Sequence, residues 1–237
     1  MLQINIQNFG GRGADSGYGG SHGTGKDGTG SGKFYDMTKK FSGMSIHEFE
    51  NAIRANNEEY IGIFDKDGTL IVAGTSHNKG SVTIPERAPG FSKAHTLTHN
   101  HPSNDNRIIG GSFSEADVQN HLRLGLKGET RAVAVGPNEH TYIFRAKKGA
   151  KQNPSGMSRS ASKVGNAYKS EAQKTINGVR KKLAQKGKSL NGKDNQVYIG
   201  TMKRLWKTAD IDKYGYEYIE SRKDLWEGVI KCRMPKI

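Results

Sequence analysis

The segment Thr98–Asp117 limits the local fold more than any other part of the chain. It follows an apolar β-like run, Ala94–Leu97, and Pro102 ends this strand, because proline lacks the N–H group that a sheet interior needs. Ser114 and Asp117 follow, three residues apart, where a helical apolar pattern starts over 113–126. This spacing is typical of an N-cap residue and an acidic first turn. The chain is therefore predicted to pass from a strand through a loop into a capped helix.

Two histidines at the end of this strand suggest more than a structural role. His99 and His101 are separated by one residue, so a strand places both imidazoles on the same face. Asp117, in the first turn of the next helix, can face the same strand end. Two imidazole nitrogens and a carboxylate oxygen form a donor set that suits zinc and leaves a fourth position open. A hydrolytic site also needs a general base, and Glu58 and Glu59 are both candidates.

The pattern around this segment predicts an α/β fold. Ser45 and Glu48 have the spacing of a capping box at the start of a helix. A Lys-Asp-Gly turn and a Gly-Pro-Asn turn each join two apolar runs, which indicates two β-hairpins. Helices are predicted over 45–57 and 113–126, and strands over 59–65, 69–75, 81–84, 94–99, 131–135 and 141–144. Together these elements predict a compact domain with its strands and helices interleaved.

Composition divides the chain into three regions, 1–40, 41–146 and 147–237. The first contains a Gly/Ser-rich run, Gly10–Gly32, which is typical of a flexible leader. Residues up to Phe144 carry 14 basic and 15 acidic side chains, whereas those from Arg145 onward carry 23 basic and 8 acidic ones. The third region is therefore predicted to be a basic, mostly helical extension that could bind nucleic acid.

The overall composition excludes several classes of protein. Hydrophobic residues make up only 33% of the chain, and no apolar run approaches the length of a membrane span. A single cysteine, Cys232, excludes an internal disulfide and a zinc site built on thiolates. We expect a cytoplasmic protein that has no membrane partner, with export by a non-standard route left open. The sequence does not indicate an oligomeric state.

The order of the candidate residues resembles the JAMM motif of JAB/MPN metalloproteases. The elements of that likeness are Glu59-Tyr60-Ile61-Gly62, His99-Asn100-His101-Pro102-Ser103 and Ser114-x-x-Asp117, and the second is similar to RadC-type proteins of bacteria or phages. The resemblance spans residues 44–146. It implies a mixed, curved β-sheet flanked by helices, similar to that of cytidine deaminases.

The same resemblance implies a zinc-dependent peptidase or isopeptidase that acts on a peptide or protein conjugate. Zn²⁺ would be bound by His99, His101 and Asp117. Glu59 would be the general base for the metal-activated water, and Ser114 would stabilise the oxyanion of the tetrahedral intermediate.

One departure from the motif leaves two positions open. Eleven residues separate Pro102 from Ser114, more than is usual in the family. Ser112 is therefore an alternative to Ser114, and Glu115 is an alternative carboxylate to Asp117. The assignment of His99 and His101 as ligands does not depend on the length of this loop.

Three other functions are compatible with parts of the sequence. Ile61–Leu70 resembles the first motif of haloacid-dehalogenase-type phosphatases, although its Asp-Lys-Asp-Gly string is also an ordinary hairpin turn. The basic region favours a RadC-like DNA-associated protein or a metal-dependent nuclease. A non-catalytic scaffold in a phage, mobile-element or toxin-associated protein is the third alternative.

Overall fold

The structure is a computed structural model that describes residues 3–7, 34–77, 81–85, 88–102, 113–134, 140–188 and 194–222. Nine strands and five α-helices occur within these residues. The strands are β1 (Gln3–Gln7), β2 (Tyr35–Asp36), β3 (Tyr60–Phe64), β4 (Leu70–Thr75), β5 (Ser81–Pro85), β6 (Thr96–His101), β7 (Glu129–Ala134), β8 (His140–Ala146) and β9 (Tyr216–Arg222). The helices are α1 (Thr38–Phe41), α2 (Ile46–Arg54), α3 (Glu115–Leu124), α4 (Pro154–Ala184) and α5 (Asp194–Thr208).

A seven-stranded mixed sheet forms the centre of the fold. Its strand order is β2-β4-β3-β6-β7-β8-β9, and the described pairs are antiparallel except for β6 with β7. The parallel pair is joined through α3, as a parallel connection requires a crossover. The α/β prediction is therefore confirmed at this level.

Helices cover both faces of the sheet, because successive side chains of a strand point to opposite faces. On one face, Phe49 and Ile53 of α2 pack with Val133 of β7. On the other face, Ala132 and Phe144 pack with α3, α4 and α5. The central strand β6 is buried along its whole length.

The packing of α2 against the sheet explains why residue 62, the last of the Glu59-Tyr60-Ile61-Gly62 element, is a glycine. A Cβ atom at Gly62 of β3 would lie 2.6 Å from the ring of Phe49. The helix can approach the sheet this closely only because Gly62 has no side chain. The predicted capping box at Ser45 and Glu48 is also confirmed and begins this helix.

A buried ion pair holds α2 to the sheet on the same face. Arg131 of β7 donates from Nε to Glu50 Oε1 (2.5 Å) and from Nη2 to Glu50 Oε2 (3.1 Å). Thr98 of β6 donates to the same carboxylate at 2.8 Å. Burial alone would lower the pKa of Arg131, but Glu50 and Glu129 raise it overall, so the guanidinium stays charged.

The leader prediction needs correction at both of its ends. Gln3–Gln7 forms β1, which pairs antiparallel with β5 in a second, two-stranded sheet. Tyr35–Asp36 forms β2, an edge strand of the main sheet. The run Gly10–Gly32 lies outside the described residues, as does Cys232.

The C-terminal region contributes a strand that the sequence did not predict. Its helix α4, which begins at Pro154, agrees with the mostly helical prediction for this region. The same region then contains α5 and the strand β9, which pairs with β8 over seven residues. The sheet and one hydrophobic cluster therefore continue across the boundary placed at residue 146.

Candidate metal centre

The two histidines lie where the sequence placed them, although β6 continues two residues further than predicted, to His101. His99 and His101 are both on the α3 face of the sheet, and their exposed fractions are 0% and 1%. In the register with β7 they are opposite Ala132 and Ala134. These two methyl side chains leave room for a pair of imidazoles at this position.

The first turn of α3 supplies the carboxylate. Ser114 is the N-cap, and its Oγ accepts a hydrogen bond from the Asp117 amide at 3.2 Å. In return, the Ser114 amide donates to Asp117 Oδ2 at 2.7 Å. This reciprocal capping box satisfies two helix-end amides and fixes the Asp117 side chain. Its other oxygen, Oδ1, forms no hydrogen bond in the described structure.

The three candidate ligand atoms converge. The Nε2 atoms of His99 and His101 are 2.9 Å apart, and Asp117 oxygens lie 3.2 Å from the first and 3.7 Å from the second. A tetrahedral zinc with bonds of about 2.0–2.1 Å separates its ligand atoms by about 3.3 Å. The observed spacings bracket that value. In the described part of the chain, His99, His101 and Asp117 each offer one ligand atom, and these three atoms all lie within 4.8 Å of one another.

The pKa shifts of His101 and Asp117 favour the protonation states in which these two side chains bind a metal ion. Burial, followed by the proximity of His99, lowers the pKa of His101 to about 3, so its ring is neutral near pH 7. Burial opposes ionisation of Asp117, but His99, His101 and the Ser114 amide outweigh it and lower the pKa of this carboxyl. A neutral imidazole and an ionised carboxylate are the forms that bind a metal ion. Within the described residues, neither histidine Nδ1 has a hydrogen-bond partner.

Glu59 is buried beside this group and is unpaired. It is 0% exposed, and neither of its carboxylate oxygens has a hydrogen-bond partner in the described structure. β3 and β6 pair Ile61 with His99, and two more residues of the same register would place Glu59 opposite His101. Burial, and then the charge of Asp117, raises the pKa of Glu59 well above its usual value. Such a carboxyl holds its proton more tightly than an exposed glutamate does.

Two side chains that the sequence analysis missed hold the backbone around Glu59. Thr75 donates from Oγ1 to the Glu59 carbonyl at 2.9 Å. Asn100, between the two histidines, accepts from the Tyr60 amide at 2.6 Å and donates to the Glu58 carbonyl at 2.9 Å. The alternation of a strand was the available signal for Asn100, because it directs this side chain away from the histidine face.

The alternative residues lie elsewhere. Glu58 is on the surface, where it contacts His77 at 2.8 Å. Glu115 is half-buried, and its carboxylate lies over Gly165 of α4, where a Cβ atom would collide with it. Ser112 lies outside the described residues. The structure therefore brings Glu59 and Asp117, rather than Glu58 and Glu115, to the histidines.

The C-terminal region supports the α3 side of the site. Trp206 of α5 is buried and donates from Nε1 to the Phe113 carbonyl at 2.9 Å, one residue before the N-cap. Gln119 of α3 exchanges hydrogen bonds with Ser158 and Ser162 of α4. No local sequence signal marks these contacts, since they join residues about 40 to 90 positions apart.

The phosphatase-like string serves as a turn. Asp65 Oδ1 accepts hydrogen bonds from the amides of Asp67 and Thr69, at 2.9 and 2.8 Å. Asp67 is exposed and pairs with Lys66. Asp65 therefore shapes the β3–β4 turn, and Asp67 forms an exposed ion pair with its neighbour.

Comparisons with protein-family models, with curated proteins and with solved structures found no match. Membership of the JAB/MPN family thus stays a prediction from the motif. None of the helices in the described part of the chain is long and apolar enough to cross a bilayer.

Proposed function

We propose that the protein is a zinc-dependent hydrolase of the metallopeptidase or isopeptidase type. The observation that carries the proposal is the convergence of His99, His101 and Asp117 next to a buried, unpaired Glu59. A purely structural capping aspartate would not need two imidazoles facing it with their Nε2 atoms 2.9 Å apart. An unpaired buried carboxyl is costly, which favours a functional reason for keeping Glu59.

The donor set fits zinc better than the other common ions. Two nitrogens and one oxygen, with these spacings, suit tetrahedral coordination, whereas magnesium and calcium prefer oxygen ligands. Zinc bound by three protein ligands supplies Lewis acidity and lowers the pKa of a coordinated water. This chemistry does not depend on the oligomeric state of the protein or on its cellular compartment.

Glu59 has the properties of the general base. Its pKa is raised by burial and by Asp117, so it can accept a proton from the attacking water and return it to the leaving amine. Because it has no hydrogen-bond partner in the described structure, no protein group competes for that proton.

Ser114 can cap the helix and assist catalysis with different parts of its hydroxyl. Its oxygen accepts from the Asp117 amide, which leaves the hydroxyl hydrogen available as a donor. A donor at this point, beside Asp117, could stabilise the negative charge that develops on an attacked carbonyl oxygen. The preference for an amide substrate comes from the JAMM resemblance.

Metal content and turnover test the proposal together. Purified wild type is expected to bind about one zinc per chain, and Asp117→Ala is expected to lose it. Glu59→Gln is expected to keep zinc but lose hydrolysis of a peptide and isopeptide substrate library by at least about 100-fold.

The matched control is Glu48→Ala, which removes the equivalent carboxylate from the capping box of α2. It should weaken its helix, less than Asp117→Ala does because this box is exposed, and leave the zinc content unchanged. A zinc-free wild type, purified without chelators and given zinc, would refute the metal centre. Zinc-loaded wild type and Glu59→Gln with equal turnover would refute the role of the base.

A further inference from the structure

A row of cationic side chains runs along the solvent face of α4. It consists of Arg159, Lys163, Lys174 and Lys181, all of which are exposed. At about 100° per residue, these positions fall within a sector about 60° wide. We call these four residues the basic row.

The positions between these cations are polar as well. Asn166, Ser170 and Asn177 occupy the same side of the helix and are exposed. The side-chain amides of Asn166 and Asn177 can donate hydrogen bonds to phosphate oxygens, whereas the Ser170 hydroxyl donates to the Ala167 carbonyl at 3.2 Å. The solvent face is therefore a continuous line of cations and neutral donors.

The apolar side of α4 is used in the fold over residues 157–172. It packs into the cluster on the α3 face of the sheet through Met157, Ala161, Val164, Tyr168 and Ala172. A helix that lies in a membrane surface inserts its apolar face into the lipid. Because that face is covered here, the basic row does not belong to a membrane-inserting helix.

The charge of the row is not neutralised by the described part of the protein. Among the described residues, no carboxylate lies within ion-pairing distance of Arg159, Lys163, Lys174 or Lys181. The acidic residue of α4, Glu171, instead pairs with Arg204 of α5 at 2.7 Å. The row therefore presents an unopposed positive potential to a partner.

We propose that the basic row of α4 binds the sugar–phosphate backbone of duplex DNA. Arg159 and Lys181 are 22 residues apart, which is about 33 Å along a helix. One turn of B-form DNA spans about 34–36 Å. The row thus matches the length over which a duplex presents phosphates on one side.

Other polyanions fit this face less well. Binding of single strands relies on exposed aromatic rings that stack on bases, and the described part of this face has none. Protein interfaces depend on buried aromatic or aliphatic anchors, which are also missing from the exposed side of the described helix. Contacts with phosphates alone do not read base edges, so binding is independent of DNA sequence.

The salt dependence of DNA binding reports how many phosphate contacts the basic row makes. Four phosphate contacts contribute about −3.6 to the slope of log K against log salt, equivalent to about 150-fold weaker binding at 200 mM than at 50 mM salt. Fluorescence anisotropy with a 25-base-pair duplex of arbitrary sequence gives this slope for the full chain. In the variant R159Q/K163Q/K174Q/K181Q, the slope is expected to decrease in magnitude by about 3–4.

The control removes the same charge from a different surface. Lys39, Lys66, Lys93 and Lys127 are exposed and lie outside α4, so K39Q/K66Q/K93Q/K127Q matches the loss of four positive charges. This variant is expected to bind with a slope within about one of the wild type. Circular dichroism should be unchanged in both variants, because glutamine is a good helix former.

Four results would overturn the proposal. The first is a wild type that does not bind the duplex at 50 mM salt, and the second is an equal loss in both variants. The third is tighter binding of duplex RNA than of DNA. The fourth is equally tight, row-dependent binding of polyglutamate or of vesicles containing anionic lipid. None of these measurements needs zinc or hydrolysis, so the outcome is independent of the proposed enzyme activity.

Discussion

At the residue scale, the candidate site is unusual in having polar atoms that the described protein does not satisfy. Asp117 uses Oδ2 for the capping box and leaves Oδ1 facing His99. Glu59 leaves both of its oxygens unpaired. Since buried polar groups are nearly always hydrogen-bonded, a concentration of exceptions at one point supports the proposed metal centre.

Glu59 should make the metal-free protein less stable as the pH rises. A carboxyl whose pKa is raised in the folded state contributes to the free energy of unfolding. This contribution is fully present below the unfolded pKa of about 4.3, and it is lost as the pH rises through the folded pKa. Glu59→Gln removes this ionisation. Its unfolding free energy relative to wild type should therefore be higher at pH 7 than at pH 4, as measured by urea denaturation in EDTA.

The neighbouring glutamate provides the control for this titration. Glu58→Gln alters a partly exposed side chain, whose contact is an ion pair with His77. Its stability relative to wild type should change by less than about 1 kcal/mol at either pH, because exposed pairs contribute little. If Glu59→Gln showed the same difference from wild type at pH 4 and pH 7, the buried ionisation would be ruled out.

At the element scale, α2 and α3 both begin with a capping box, but the two boxes have different neighbours. Both helices have a serine N-cap and a reciprocal carboxylate at the third position. The box of α2 is exposed, whereas that of α3 is buried beside the histidines. This difference allows the capping role of Ser114 to be separated from a role in catalysis.

Ser45→Ala and Ser114→Ala should each lower the unfolding free energy by about 1 kcal/mol, as the loss of an N-cap does. The buried site can raise the cost for Ser114 to about 2 kcal/mol. Only Ser114→Ala is expected to reduce turnover, by about 10²–10³-fold, if its hydroxyl stabilises an oxyanion. Thermal denaturation and steady-state kinetics on the zinc-loaded proteins give the two quantities. Equal turnover in the two variants would leave Ser114 with a capping role alone.

At the scale of the whole molecule, the chain is less modular than its composition indicates. Net charge changes from −1 to +15 near residue 145, yet β9 pairs with β8 directly across that point. Tyr216 of β9 stacks on Phe144 of β8 with ring centroids 5.2 Å apart. Trp206 connects α5 to the backbone just before α3. The basic region therefore covers the core and also supports the candidate site.

A chain ending at Ala146 is accordingly expected not to fold cooperatively. It would leave Tyr142 and Phe144 exposed, together with an unpaired edge of β8. Gel filtration and thermal denaturation should show an aggregated or non-cooperative species. As a milder test in the full chain, Tyr216→Ala should lower the unfolding free energy by about 3–5 kcal/mol. A monomeric 1–146 fragment with a sharp transition close to that of the full chain would contradict this account.

Local signals in the sequence were sufficient for much of this protein. The two capping boxes, the β3–β4 turn and the strand end at Pro102 depend on residues within about five positions of one another. Hydrogen bonding over such distances depends little on the rest of the fold. The pairing of His99 with His101 on one face also follows from the period of a strand.

Other features depend on contacts between residues far apart in the chain. Burial of Glu59 rather than Glu58, the free oxygen of Asp117 and the support from Trp206 arise only when β3, β6, α3 and α5 are packed together. The sequence analysis missed β9 because this strand pairs with β8, which lies about 75 residues earlier in the chain. Neither composition nor periodicity indicates a pairing partner at that distance. The residue types at the site were thus determined locally, whereas their convergence, burial and protonation are consequences of tertiary packing.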